Sequence, residues 1–214
     1  MDTERVLRRA AREITAGTIV NLGIGLPTRL MAYLPDDMDV MIHSENGILG
    51  AWKQARGNNV DASLIDAGGD YITTRPGSSF FDSAVSFAMI RRGKVDLSIM
   101  GAFQVDQAGN LANWKIPGQF SPGIGGAMEL AQKTPRLLIL CAHNDKQGNP
   151  KVLRQCTLPL TASLCVSRII TDKAVMDITA DGLILRELAE NMSLQQVMTA
   201  TDAELVPAAS IGRF

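Results

Sequence analysis

Histidine is nearly missing from this chain: His43 and His143 are the only two in 214 residues. That leaves almost no room for a zinc or di-iron centre built on imidazole ligands. Cysteine is scarce too. Cys141, Cys156 and Cys165 form no CxxC pair, their number is odd and they are far apart, which speaks against a disulfide framework and fits a reducing cytosol. Aromatic residues reach only 5%, few for a base-stacking platform. Neither sign of charge prevails: 21 Lys and Arg stand against 22 Asp and Glu, a net charge of −1, so no general affinity for nucleic acid or an anionic membrane is expected. No apolar run has transmembrane length. The opening MDTERVLRRAAREI lacks the uncharged apolar stretch of a secretory signal. What the sequence does have is 46% hydrophobic residues and 19 glycines, the make-up of a loop-rich α/β enzyme, read as one unit over residues 1–214.

The patterning alternates. Val6, Leu7, Ala10, Ala11 and Ile14 share a helical face, with Asp2 or Thr3 as cap and Gly17 as stop. Thr18 to Gly25 reads as a buried strand, Pro27 opens a helix to Leu34, and Val40 to His43 is a second strand. Gly50 to Asn59 is polar and reads as a loop, Ser63 to Asp66 as a short strand, and Ser79 to Arg91 as a helix. Val95 to Val105 is strand-like, Leu111 to Ile116 extended, Gly118 to Gly126 a glycine-rich loop, Ala127 to Gln132 a helix and Arg136 to Cys141 a buried strand. Strands are predicted at Cys165–Thr171, Ala174–Thr179 and Leu183–Glu187, with Ala180-Asp181-Gly182 as a turn between the last two. Ser193 opens a last helix, and the tail after Pro207 is expected to fray. No linker, repeat or low-complexity tract stands out. This rhythm predicts an open, mainly parallel sheet flanked by helices, with some antiparallel strands near the C-terminus.

Few segments suggest chemistry by themselves. Gly23-Ile-Gly-Leu-Pro-Thr28 starts like a dinucleotide fingerprint but ends in Thr and holds Pro. There is no phosphate-binding GxxxxGK[ST] and no GxSxG. His43 ends an apolar run and reads as structural. Ser44-Glu45-Asn46-Gly47 is more informative, because in open α/β sheets ligands bind beyond the carboxyl ends of strands. A carboxylate there is costly to enclose unless it is bonded or used. Capping of the next turn is the competing account of Glu45.

Other segments decide between these. Val20-Asn21-Leu22-Gly23-Ile24-Gly25 with Pro27-Thr28, then Ser44-Glu45-Asn46-Gly47, then Phe87-Ala88-Met89-Ile90-Arg91 follow in order. After them come Leu111-Ala112-Asn113-Trp114 with Ile116-Pro117-Gly118, Gly123-Ile124-Gly125-Gly126-Ala127-Met128, and Cys156-Thr157-Leu158-Pro159-Leu160-Thr161. With these residues the chain resembles the β subunit of family I CoA-transferases of the 3-oxoacid type, over almost its whole length. The resemblance implies an enzyme that moves coenzyme A between an acyl-CoA and a short-chain or 3-oxo carboxylate. It implies Glu45 as nucleophile, forming a mixed anhydride and then a glutamyl-CoA thioester. It assigns Asn21 and Gly126 to oxyanion stabilisation. Gly25, Asn46, Gly47, Gly125 and Trp52 are expected around the bound substrate and CoA, with Asn46 and Gly47 positioning Glu45 and Gly125 shaping its loop. No metal and no permanent cofactor are implied, CoA being substrate and transient adduct. A separate α subunit is implied, most simply as α2β2 in the cytoplasm.

The chain also departs from the family. Where ENG-x-x-G-x-G-P is usual, it has Ile48-Leu49-Gly50-Ala51-Trp52-Lys53. Trp52 could reshape the acyl pocket and Lys53 could meet a carboxylate of the acceptor; an exposed variable loop is the other account. Val85 stands where an acidic residue is usual, and Cys141-Ala142-His143 where Met-Glu-His is usual. A sugar-phosphate isomerase or deaminase, and a non-catalytic ligand-binding subunit, are the alternative readings of the same fold.

Overall fold

A computed structural model describes residues 2–214. In chain order come α1 (Thr3–Ala11), β1 (Thr18–Leu22), a 3-10 segment (Pro27–Tyr33), β2 (Val40–Ser44), β3 (Ile48–Gln54), β4 (Ile72–Phe80), α2 (Ser83–Arg91) and β5 (Leu97–Met100). Then follow β6 (Gln104–Asp106), β7 (Leu111–Ala112), α3 (Ala127–Lys133), β8 (Arg136–Leu140), β9 (Val152–Leu153) and β10 (Arg168–Ile170). The chain ends with β11 (Ala174–Thr179), β12 (Gly182–Leu188), α4 (Leu194–Ala200) and β13 (Leu205–Arg213).

Ten strands form one sheet in the order β13-β12-β11-β10-β8-β5-β1-β2-β3-β4. From β10 to β2 all neighbours are parallel, as the alternation of strands and helices predicts. Antiparallel pairs β10–β11 and β11–β12 lie on the C-terminal side, where they were expected. A small sheet, β7-β6-β9, stands apart. Side chains alternate across the strands. In β8, Leu138 and Leu140 join Val6, Leu7, Leu30 and Ile42 on one face. Leu137 and Ile139 join Ile90 of α2, Leu130 of α3 and Val197 of α4 on the other.

Local signals held where the chain satisfies itself. Asp2 caps α1, accepting from Arg5 N–H at 3.2 Å, and Ser193 with Gln196 forms a reciprocal capping box on α4. The expectations failed where partners supply the order. The first half of the loop predicted over Gly50 to Asn59, up to Gln54, is β3, paired with β2 and β4. Its register slips between Leu49 and Ala51 and again between Ala51 and Gln54, and such bulges erase the period-two pattern that would have revealed it. Ser63–Asp66 is no strand and keeps only a bridge from Ile65 to Tyr71. The helix expected from Ser79 starts at Ser83, behind its cap Asp82. Ser79 and Phe80 belong to β4, an edge strand that tolerates Pro76. Val95–Val105 is broken into β5 and β6. The tail does not fray: β13 pairs with β12 in parallel and Phe214 is buried. A short repeat also emerges. Asp106-x-x-Gly-Asn110 and Asp145-x-x-Gly-Asn149 make the same turn, each aspartate accepting from the backbone two and four residues on and from the asparagine side chain.

Charge ties α1 to the sheet. Glu13 accepts from Arg9 at 2.8 Å, Arg168 at 2.6 Å and Arg136 at 2.9 Å, and Arg168 also grips Asp177. Burial pushes the Glu13 carboxyl up, but the bonds from Arg9 and Arg168 outweigh it and hold it below its ordinary 4.5. Asp177, also partly buried, is held below 3.8 by Arg168 and Arg186. Stability from a depressed carboxyl is complete above its unfolded value and is lost as pH falls through its folded one. The urea midpoint is therefore expected to hold down to about pH 5 and to drop below about pH 4. The drop should be shallower in Glu13→Gln, and equal acid slopes for the two proteins would contradict the assignment.

Candidate active site at the turn after strand β2

β1 and β2 lie side by side with Asn21 opposite His43, so both reach the carboxyl edge of the sheet together. Two residues on, Glu45 occupies a tight turn that closes the β2–β3 hairpin at Ser44 and Ile48. Gly47 makes this turn possible. Its φ is +121°, its N–H donates to Ser44 O at 3.0 Å, and its carbonyl accepts from Phe81 N–H at 3.0 Å. A Cβ here would lie 1.9 Å from the Phe81 carbonyl oxygen. Asn46 Nδ2 donates to Ile65 O at 2.8 Å, and Ser44 Oγ accepts from Ala67 N–H at 2.9 Å. The turn is thus held from several directions while Glu45 stays half-exposed.

Asn21 is fully buried, and its Nδ2 donates to Glu45 Oε2 at 3.1 Å and to His43 O at 3.2 Å. Its Oδ1 has no partner among the described residues. Across the site lies Gly126, at the start of α3. A Cβ built on it would stand 2.9 Å from Phe87 Cζ and 3.5 Å from Glu45 Cγ. Gly125 beside it has a φ of +55°. Asn21, Glu45 and Gly126 are therefore brought together, and Asn46 and Gly47 support the turn. Gly126→Ala is expected to lower turnover about tenfold by pressing on Phe87 and Glu45, while stability changes by less than about 1 kcal/mol. Kinetics beside a melting curve check this; a full loss of fold with unchanged specific activity of the folded fraction would contradict it.

One expected residue lies elsewhere. Trp52 is 8% exposed, packed in the core with the Arg75 guanidinium 4.4 Å from its ring centre. It belongs to neither an exposed loop nor the wall of the neighbouring cavity. That cavity, of about 630 Å³, is lined by Ile24, Gly25, Arg29, Lys53 and Arg56, among others. Gly25 does reach it, and Lys53 reaches it while paired with Asp36. His143 is buried between Thr171 and Thr201 at 2.9 and 2.8 Å, bonded to neither Asn21 nor Glu45. Among the described residues no group of three His, Cys, Asp or Glu could hold a metal ion, and no helix is long and apolar enough to cross a membrane.

Sequence reasoning missed the polar layer behind the site. His43 is 1% exposed. Its Nε2 lies 2.9 Å from Ser86 Oγ and its Nδ1 3.3 Å from Asn21 Nδ2. Burial pulls its pKa down to about 4, which leaves it neutral at pH 7. Only the register of β1 on β2 and the seating of α2 create this layer, so no spacing in the sequence announces it.

The profile of the family described as Coenzyme A transferase matches residues 3–200. The beta chain of a probable coenzyme A transferase of Bacillus subtilis is 47% identical over 95% of this chain and 94% of its own length. The beta chain of an acetate CoA-transferase of Haemophilus influenzae is 43% identical over 96% of this chain and 92% of its own. Among solved structures, an acyl-CoA transferase from Escherichia coli superposes with a TM-score of 0.78 at 21% identity, a likeness of fold. It covers 99% of this chain, which spans 43% of the larger protein. The chain with the Asn21–Glu45–Gly126 cluster belongs to the coenzyme A transferase family and is an enzyme chain of the beta type.

Proposed function

We infer that this chain supplies the nucleophile of an acyl-CoA:carboxylate CoA-transferase, and that Glu45 is that nucleophile. The observation that carries the reading is the bond from the buried Asn21 amide to Glu45 Oε2 at 3.1 Å, with Gly126 against the same side chain. The Glu45 carboxylate attacks the thioester carbonyl of the donor, the C–S bond breaks, and CoA leaves as thiolate with a mixed anhydride left behind. The thiolate then attacks the glutamyl carbonyl and expels the acyl group as a free carboxylate, leaving a glutamyl-CoA thioester. An acceptor carboxylate runs the same steps in reverse. One thioester replaces another, so no ATP, metal or permanent cofactor is called for.

The residues divide the electrostatic work. Asn21 Nδ2 already holds one Glu45 oxygen, and that oxygen gains the negative charge when thiolate attacks the glutamyl carbonyl. The backbone at Gly126, with no Cβ in the way, suits the oxyanion of the attacked thioester. Water has to be kept from the anhydride. Ile24, 67% exposed, and Phe120, 94% exposed, sit in the β1 and glycine-rich loops and favour cover by another chain. The relatives are themselves named as beta chains, which supports an α subunit as that cover; α2β2 is then the simplest closed two-fold assembly of the two chains. Relatives named for acetate and for succinyl-CoA and 3-ketoacids support short-chain or 3-oxo acids as substrates. A cytoplasmic setting suits three free cysteines.

The test is to trap the intermediate. The chain, co-purified with its α partner, is mixed with an acyl-CoA, quenched and digested. The peptide holding Glu45 is expected to gain the mass of CoA less one water, and to lose it when free carboxylate is added. Transfer without an adduct, or with the adduct on another residue, would overturn the reading.

A further inference from the structure

We propose that His43 is a positioning residue for the transfer reaction: its ring, seated between Ser86 and Asn21 as the Nε2–H tautomer, presents the Nδ1 lone pair to the Asn21 amide and keeps Nδ2 turned toward Glu45. The inference rests on the reading of Glu45 as nucleophile. It starts from a polar chain that is buried up to the nucleophile: Ser86 Oγ to His43 Nε2 at 2.9 Å, His43 Nδ1 to Asn21 Nδ2 at 3.3 Å, and Asn21 Nδ2 to Oε2 of the half-exposed Glu45 at 3.1 Å. Ser86 and Asn21 are 0% exposed and His43 1%.

The protons in this chain are assigned by chemistry. An amide Nδ2 carries hydrogens and cannot accept, so the ring nitrogen facing it must present its lone pair. A neutral imidazole has one N–H, which then resides on Nε2 and donates to Ser86 Oγ. Burial keeps the ring neutral, so the lone pair on Nδ1 persists at pH 7. Two hydrogens of Asn21 are shared among three acceptors: His43 Nδ1, His43 O and Glu45 Oε2. All three favour the same amide orientation. The reverse orientation would set Oδ1 against the Glu45 carboxylate and leave the nucleophile repelled instead of held. The other tautomer of His43 would set N–H against N–H and push the amide away from the geometry that Glu45 uses. Ser86 Oγ, on α2, can accept as well as donate and takes the remaining Nε2–H, so the helix packed behind the site anchors the ring that holds the Asn21 amide.

The experiment uses the enzyme co-purified with its α partner and four variants. His43→Leu removes both ring nitrogens and is expected to lower kcat roughly 10- to 100-fold, with KM for the acyl-CoA within about twofold. His43→Asn places an amide oxygen where Nδ1 was and is expected to recover most of that loss. Ser86→Ala keeps the packing and removes the partner of Nε2–H, loosening the ring, and is expected to fall between them. Glu45→Gln is the control for the underlying reading. Equal losses in His43→Leu and His43→Asn, or a loss seen only in melting temperature, would make His43 a packing residue and overturn the proposal. A dead Glu45→Gln beside a fully active His43→Leu overturns the positioning role alone, whereas a fully active Glu45→Gln overturns the reading beneath it. Should His43→Leu fail to fold, 15N NMR of histidine-labelled wild type decides. Nδ1 must resonate as the unprotonated nitrogen and must change in Ser86→Ala; a protonated Nδ1 in the wild type refutes the proposal.

Discussion

Glu45→Gln is expected to stop CoA transfer while leaving the fold intact. The substitution keeps the shape of the side chain, and its carbonyl oxygen can still accept the Asn21 Nδ2 bond that reaches Glu45 Oε2 at 3.1 Å. The turn around it hangs on Gly47, Asn46 and Ser44, none of which depends on the carboxylate. What disappears is the nucleophile, because a neutral amide cannot attack a thioester at a useful rate. A loss of roughly 10³-fold or more in kcat, about 4 kcal/mol in barrier, follows. Initial rates of exchange between an acyl-CoA and acetate measure it, on a variant shown by mass to have escaped deamidation back to glutamate. Wild-type turnover in such a preparation would remove Glu45 from the mechanism.

Gly47→Ala is the second large effect, and here fold and activity fall together. A methyl at this position meets backbone, the Phe81 carbonyl oxygen, at 1.9 Å, and no rotamer change can relieve that. The φ of +121° adds strain for any L side chain. To accept alanine, the β2–β3 turn has to part from the segment leading into α2 and give up the Phe81 N–H to Gly47 O bond of 3.0 Å. A cost of about 3 kcal/mol in stability is expected, with transfer down about 10²-fold in the protein that still folds, since Glu45 rides on the displaced turn. Gly25→Ala is the natural comparison: its φ of +98° is also positive, yet a Cβ there meets nothing within 4 Å, so the loss should be smaller. Denaturant titration and rates on the same samples check both, and a Gly47→Ala protein as stable as wild type would show that the turn tolerates a Cβ.

The roles given to Asn21, Glu45 and Gly126 came from the ordered set of segments shared with the family, whereas the local pattern marked only where the turns fall. Asn21, Glu45 and Gly126 each sit in a short run whose glycines and strand ends mark a turn at a sheet edge, and Glu45 follows directly on β2. Trp52 shows the opposite case. In the sequence it stands in a polar stretch and reads as a loop residue near the acyl group, yet pairing of β3 on both sides carries it into the core under Arg75. His43 was legible as buried and structural, but its neighbours Ser86 and Asn21 lie 43 and 22 residues away, so its link to the nucleophile was not.

By itself the sequence determined what short-range chemistry determines: the caps at Asp2 and Ser193, the turn at Gly182, the alternation of strand and helix, and the glycines that let backbone approach the site. These depend on φ preferences and on hydrogen bonds a few residues long. The tertiary structure decided register and cover. It set Asn21 opposite His43, carried α3 to Glu45, ordered the tail through Gly212 against Glu187, and drew β3 out of an apparent loop. Those outcomes rest on pairing between segments far apart in the chain, where the backbone groups of one strand are satisfied by another, and no local pattern encodes which partner will arrive.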